Sequence, residues 1–341
     1  MGHLLLKMGV PLFIILVVLT RGSITMIAIG VDIGGTSIKG AFINDKGEIL
    51  SRFSMKVDKE GSPEQEIGKL CDIINASIKE GNYEGKVEGI GIGSPGTLDM
   101  DQGIILSSPN LQSWAGFNIK KFMTARTGLP VELNNDANVA ALGEAKFGSG
   151  SKYKSAIMLT LGTGVGGGII LDGRLYDGNK HQGGELGHMV IRMGGRPCGC
   201  GRKGCLESYA SATALIRDTK EMMEKHPESL LSDVAKELGG VDARNAFMAA
   251  SRGDRYGKKL VKNYVMYLSE GIINYCNIFR PEVVILSGGV ANEGENLFRR
   301  IRSYLKKNTY GMKGSAKVEV VGSALGYDSG KIGAACLVLF K

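Results

Sequence analysis

The sequence predicts an α/β protein with two domains around a cleft, and three observations carry that expectation. Short apolar strands alternate with stretches of helical periodicity along most of the chain. Its 341 residues are more than one core usually serves. A strand–glycine turn–strand unit opens the first half at 27–42 and recurs in the second at 156–171.

The elements follow in order. An apolar strand at 27–31 ends in DIGGTSIKG, and a second strand lies at 41–44. The turn DKG and the segment EILSRF complete an antiparallel meander. Residues 63–79 put Ile67, Leu70, Ile73 and Ile74 on one helical face, with Ser62 as a capping residue. A buried strand at 87–92 ends at GSPG. A helix at 117–127 is stopped by Gly128 and Pro130, and the strand 131–134 hands over to a helix at 136–146. Trp114, the one tryptophan, is expected at the domain junction. From Ser155 the pattern restarts: strand 156–161, turn GTGVGGG, strand 169–171, turn DGR. Helices dominate 210–280, a strand lies at 283–289, and SALGYDSGKIGAACLVL reads as a turn feeding a terminal helix.

Composition narrows the classes. Net charge is +8, but Lys and Arg are spread along the chain without a dense block. A solvated basic surface is therefore preferred to nucleic-acid binding, and the charge suits a polyanionic substrate such as a nucleotide. Cys71, Cys276 and Cys336 sit singly in apolar surroundings and read as core thiols, which argues against a secreted disulfide framework. The run PLFIILVVL is shorter than the ~20 residues a bilayer needs and lacks a small-residue cleavage site. Residues 1–25 are read as an apolar extension outside the fold, with a membrane anchor as the alternative. No membrane association is expected.

The 51 glycines are about twice average usage, and they cluster in turns. In DIGGTSIK, Gly34 and Gly35 allow backbone N–H groups to face a phosphate. Asp32 can hold magnesium through water, and Thr36 and Lys39 can reach phosphate oxygens; a plain hairpin is the alternative. LGTGVGGG, with Gly162, Thr163, Gly164 and Gly166, again needs a close approach to backbone. It is neither a P-loop nor a Rossmann fingerprint. LSGGV adds Gly288 and Gly289, where a base or ribose can rest. In NNDANVAALGE, Asp136 stands at a strand-to-helix junction whose helix N-terminus is expected to keep it ionised. Asn134, Asn135 and Asn138 surround it with more polarity than a cap requires, a setting that suits a carboxylate base for a sugar hydroxyl.

The segment GGELGHMVIRMGGRPCGCGRKGCLES brings together His188, Cys198, Cys200 and Cys205, a Cys3His zinc set. The pair is CxC, not the CxxC of a redox motif, and four protein ligands close the shell, so the zinc is read as structural. Glu185 and Glu207 flank the set.

Taken together, DIGGTSIK, SPG, NNDAN, LGTGVGGG, GGELGH, CGCGRKGCLE and VVILSGGV resemble, in order, the ROK family of sugar kinases and regulators in the actin/hexokinase/Hsp70 superfamily. The resemblance runs from Met26 to the C-terminus. It implies a two-domain actin-like (ribonuclease H-like) fold. The smaller domain is 26–140 with 327–341; the larger, 141–326, carries the zinc loop. It implies ATP with Mg2+ on the glycine loops, Asp136 as catalytic base, and a hexose held by Asn110, Asn135, Asp136, Glu185, His188 and Glu207. His188 then serves both zinc and sugar. The motifs are most similar to Gram-positive-type glucokinases, which implies a cytoplasmic homodimer or homotetramer that makes glucose 6-phosphate for glycolysis.

Rival expectations are a kinase for N-acetylmannosamine, fructose or allose, a sugar-responsive regulator, and a sugar sensor without catalysis. No helix-turn-helix pattern precedes Met26, and both Asp32 and Asp136 are present. The MDQG stretch after Leu98 and the residues around His181 lie outside the pattern that carries the resemblance, and neither His181 nor His226 is assigned a role.

Overall fold

The computed structural model describes residues 25–58, 61–108, 111–311 and 317–341. Most of the apolar leader and Asn110 lie outside these residues. No described helix is long and apolar enough to cross a membrane.

The first sheet begins as an antiparallel meander of β1 (Ile27–Ile33), β2 (Ser37–Asn44) and β3 (Ile49–Lys56). Helix α1 (Pro63–Glu80), capped by the Ser62 hydroxyl, leads to β4 (Val87–Ser94), which pairs parallel to β1. Three short strands, β5 (Thr97–Asp99), β6 (Ile104–Ser107) and β7 (Phe117–Asn118), make a small antiparallel sheet. Helix α2 (Ile119–Thr127) follows, and β8 (Val131–Asn135) pairs parallel to β4. Helix α3 (Asp136–Phe147) then leads to the second sheet. There β9 (Ala156–Leu161), β10 (Val165–Leu171) and β11 (Arg174–Tyr176) form another meander. Five helices follow: α4 (Glu207–Ala210), α5 (Ala212–Lys225), α6 (Leu231–Leu238), α7 (Arg244–Ser251) and α8 (Arg255–Phe279). β12 (Val283–Ser287) pairs parallel to β9, α9 (Glu295–Asn308) intervenes, and β13 (Glu319–Gly322) completes the sheet. Helix α10 (Ser329–Leu339) ends the chain.

The orders β3-β2-β1-β4-β8 and β11-β10-β9-β12-β13 are one topology used twice. The recurring strand–glycine–strand unit in the sequence marks the start of each copy. Both faces of β1 are covered, as expected for a strand with a parallel neighbour. Ile27, Ile29, Val31 and Ile33 enter one core, whereas Ala28 enters a second with Ile332, Ala335 and Cys336 of α10.

Many glycines serve helix packing rather than phosphate contact, a use that the motif reading did not anticipate. A Cβ on Gly30 would lie 1.8 Å from the Lys331 carbonyl oxygen, and one on Gly91 would lie 1.7 Å from that of Ala334. On α3 and α10, Gly143 and Gly333 face each other's helix, and a Cβ on Gly333 would lie 1.6 Å from the Val139 oxygen. Backbone touches backbone where α10 crosses β1, β4 and α3.

Two expectations change. Residues 117–127 are not one helix: Phe117–Asn118 pairs with β6, and the Asn118 side chain caps α2. Trp114 does not sit at the domain junction but is fully buried in the first core with Leu98, Leu111 and Ile119. The short 3-10 turn Gln112–Trp114 folds it in beside the small sheet.

Gly333→Ala should destabilise the protein by about 1–3 kcal/mol or more, measured as the urea midpoint. Gly240→Ala, where an added Cβ meets nothing within 4 Å, should change stability by less than about 0.5 kcal/mol.

Candidate active site

Strand ends from both sheets converge on one cavity of about 1300 Å3. Asp32 reaches it from the end of β1, Pro95 and Gly96 from the turn after β4, Thr97 and Leu98 from β5, and Asn135 and Asp136 from the β8–α3 junction. Thr160–Gly167 of the β9–β10 hairpin (except Leu161), and Leu286 and Ser287 of β12 with Gly288 just after it, line the opposite wall. Ligand sites in open α/β sheets lie at such carboxyl ends of parallel strands.

Asp136 is the first residue of α3, but it is not the cap. The Asn135 carboxamide oxygen accepts from the backbone N–H groups of Ala137 (2.9 Å) and Asn138 (3.4 Å), which leaves the Asp136 carboxylate facing the cavity, 2.8 Å from Ala137 N. Burial pushes the Asp136 carboxyl up to about 6, aided by the charges of Asp32 and Glu185 and opposed by the Ala137 N–H. Desolvation thus outweighs the backbone amides, which still lower the value, and a carboxyl near 6 is ionised at neutral pH as the sequence position leads one to expect. Asp32 is raised too, chiefly by burial, with Lys331 and Lys39 opposing. Asp32, a carboxylate in the cavity wall, fits a hard divalent cation held through water.

Behind this pair, the Asn134 side-chain oxygen accepts from Asn135 N (2.8 Å) and from Asn138 Nδ2 (3.0 Å). The far end of α3 is also held. Glu144, fully buried, accepts from Ser149 N, Ser323 Oγ, Ala324 N and Leu325 N, tying the helix to the turn before α10.

The glycine motifs divide. Gly162, Thr163, Gly164, Gly166 and Gly288 line the cavity, whereas Gly34, Gly35, Thr36, Lys39 and Gly289 are outside its wall. Gly34 N bonds Ser37 O within a tight hairpin, and Lys39 stands cross-strand from Asp32. Glu185, His188 and Glu207 line the same cavity. Glu207 Oε2 accepts from Val165 N (3.0 Å), and its Oε1 lies 3.5 Å from Cys198 Sγ.

His188, Cys198, Cys200 and Cys205 present donor atoms that all lie within 4.8 Å of one another. Cys198 Sγ lies 3.6 Å from His188 Nδ1, and Cys200 Sγ lies 3.7 Å from Cys205 Sγ. A tetrahedral ion with ~2.3 Å bonds to sulfur requires donor separations of about 3.8 Å, so the set fits a zinc-sized ion. The loop closes through Cys198 N to Arg202 O (2.9 Å), and at Gly204 (φ 85°) a Cβ would lie 1.8 Å from the Arg192 oxygen. Burial pushes the Cys205 thiol up to about 12, so a metal displaces its proton on binding.

The motif reading missed the tail side of the cavity: Gly322, Ser323, Gly326, Tyr327, Ser329 and Gly330. Tyr327 is 84% exposed. An aromatic between glycines and serines in GYDSG was the available signal.

Residues 28–341 match the model of the ROK family, and the chain belongs to that family. It is 37% identical over 314 residues to the glucokinase of Halalkalibacterium halodurans, covering 91% of this chain and 94% of that one. The crystal structure of a ROK family glucokinase from Streptomyces griseus in complex with glucose and AMPPNP matches with a TM-score of 0.75 and 34% identity, over 92% of this chain and all of that one. The family also holds regulators: the xylose repressor of Caldicellulosiruptor bescii is 31% identical, over 83% of this chain and 70% of that one. The fold is that of the two-domain actin-like ATPases.

Because the folded state binds the Asp136 proton more tightly than the unfolded chain does, stability is lost as pH rises through about 6. Asp136→Asn should therefore raise unfolding stability at pH 8 by about 1–2 kcal/mol, with little effect at pH 4. Thermal melts at the two pH values check this.

Proposed function

We propose that the protein is an ATP-dependent hexose kinase that converts glucose to glucose 6-phosphate. The observation that carries this reading is the Asp136 carboxylate, raised by burial toward neutral pH, in a cavity that it shares with Glu185, His188 and Glu207 and with the glycine turn at 162–167. The glucokinase relatives support glucose as the acceptor.

In this reading Asn135, Glu185, His188 and Glu207 hold the sugar, with Asn110 as a further contact. Asp136 takes the proton of the 6-hydroxyl as that oxygen attacks the γ-phosphorus and ADP departs. The backbone amides of Gly162–Gly166 meet the phosphates, and Gly288 borders the nucleoside. Asp32 orients magnesium through water; the ion neutralises phosphate charge when bound. The proposed moving parts are 26–140 with 327–341 against 141–326. A cytoplasmic homodimer or homotetramer completes the proposal.

A sugar panel in a coupled ADP-release assay tests it, with glucose expected to give the highest kcat/KM. Asp136→Asn should lower kcat by about 10²- to 10⁴-fold while glucose still binds. In the unsubstituted enzyme, kcat/KM should fall as pH drops through about 6, the range in which the base gains its proton. Normal turnover by Asp136→Asn, or promoter binding in a gel shift with no turnover of any sugar, would overturn the assignment.

Zinc on His188 and the three cysteines is proposed to be structural; when bound, it fastens the loop between Glu185 and Glu207. Cys200→Ser should raise the sugar KM and lower the melting temperature together. Zinc-free protein with unchanged sugar affinity contradicts this role.

A further inference from the structure

His181 has no part in the chemistry described above, yet it lines the cavity beside Gln182, Gly183 and Gly184. Its Nδ1 lies 2.6 Å from Asp177 Oδ2 on its own loop, and its Nε2 lies 3.5 Å from Asp101 Oδ1 on the turn between β5 and β6. The two carboxylates therefore come from different sheets, Asp177 just after β11 and Asp101 on the small sheet. Asp177 and Asp101 are the charged groups that act on the ring, and both favour its protonated form.

Two further features set this loop apart. Lys180 (φ 51°) and His181 (φ 58°) both adopt the left-handed region, the only consecutive non-glycine pair to do so among the described residues. Such a conformation is costly unless surrounding contacts hold it. The same Asp177 oxygen that faces His181 lies 3.5 Å from Asn134 Nδ2, and the Asn134 oxygen receives the backbone N–H of Asn135. A continuous line of polar contacts thus runs from Asp101 across the cleft to the residue that precedes Asp136.

We propose that His181 is a positioning residue that draws the two walls of the cleft together over the hexose, using Asp177 as its anchor and Asp101 as its partner. The inference rests on the kinase reading and deepens it. The latch tightens sugar binding only as an imidazolium that donates to both carboxylates. Its pairing raises the proton affinity of the ring above the ordinary histidine value. The latch is therefore present at lower pH and lost as pH rises through that raised value. Asp136 needs the opposite, a lost proton, so sugar affinity and turnover favour opposite pH directions.

The test is steady-state kinetics with glucose at saturating ATP and magnesium, from pH 6 to 9, on the unsubstituted enzyme, His181→Gln, His181→Arg and Asp101→Asn. At pH 6.5, His181→Gln and Asp101→Asn should raise the glucose KM roughly two- to fivefold, with a smaller change in kcat. The unsubstituted enzyme's KM should rise with pH, and His181→Arg, whose charge is fixed, should flatten that rise. Because Asp101 is 79% exposed, its variant should melt near the unsubstituted temperature and so separates latching from folding. An unchanged KM in both His181→Gln and Asp101→Asn, or a KM rise with pH that persists in His181→Arg, would overturn the latch. If the unsubstituted enzyme turns over no glucose, the kinase reading fails first, and the latch fails with it.

Discussion

The backbone-to-backbone crossing of α3 and α10 is the constraint on which the site depends. Gly143 and Gly333 let the two helices meet without side chains between them, and Gly30 and Gly91 let α10 lie directly on β1 and β4. Interfaces packed this closely have few alternative arrangements, so the start of α3 is fixed relative to both sheets. Asp136 is that start. At the other end of the helix, Glu144 grips the turn at 323–325, next to the tail-side wall of the cavity. One helix therefore sets the position of the proposed base and of the wall across from it.

Electrostatics follows from this placement. The junction buries Asp136 among Asp32 and Glu185, and the backbone amides it keeps, those of Ala137 and Asp136, do not offset the lost solvation. Asn135, one residue earlier, satisfies the helix N-terminus in its place. A carboxylate freed from capping and raised toward neutrality is suited to take a proton. At the far end, the cysteine loop closes against Glu207, whose second oxygen is held by Val165 N of the glycine hairpin. The metal-type cluster and the second glycine motif thus share one carboxylate.

Much of this was legible in the sequence, because turn chemistry and ligand spacing are local signals. DIGGTSIK, LGTGVGGG and LSGGV marked the strand ends that meet at the cleft, and the spacing of Cys198, Cys200 and Cys205 after His188 announced the four-donor set. The duplicated sheet order was only half visible: the paired openings are local, but β4, β8, β12 and β13 join through long connections. Long-range packing was illegible. Nothing in GKIGAACLVL distinguishes a glycine that faces a phosphate from Gly333, which faces a helix. The burial that raises Asp136 and the cross-cleft pairing of His181 with Asp101 likewise arise only once distant segments are brought together.

The central claim is that burial at a rigid strand–helix junction, rather than the helix terminus, sets the proton affinity of Asp136. It is tested most directly by a carboxyl-carbon NMR titration of the sugar-free, magnesium-free protein, with the Asp136 resonance assigned by its loss in the asparagine variant. The account predicts a midpoint at about 6. A midpoint at or below the ordinary aspartate value of about 3.9 would contradict it.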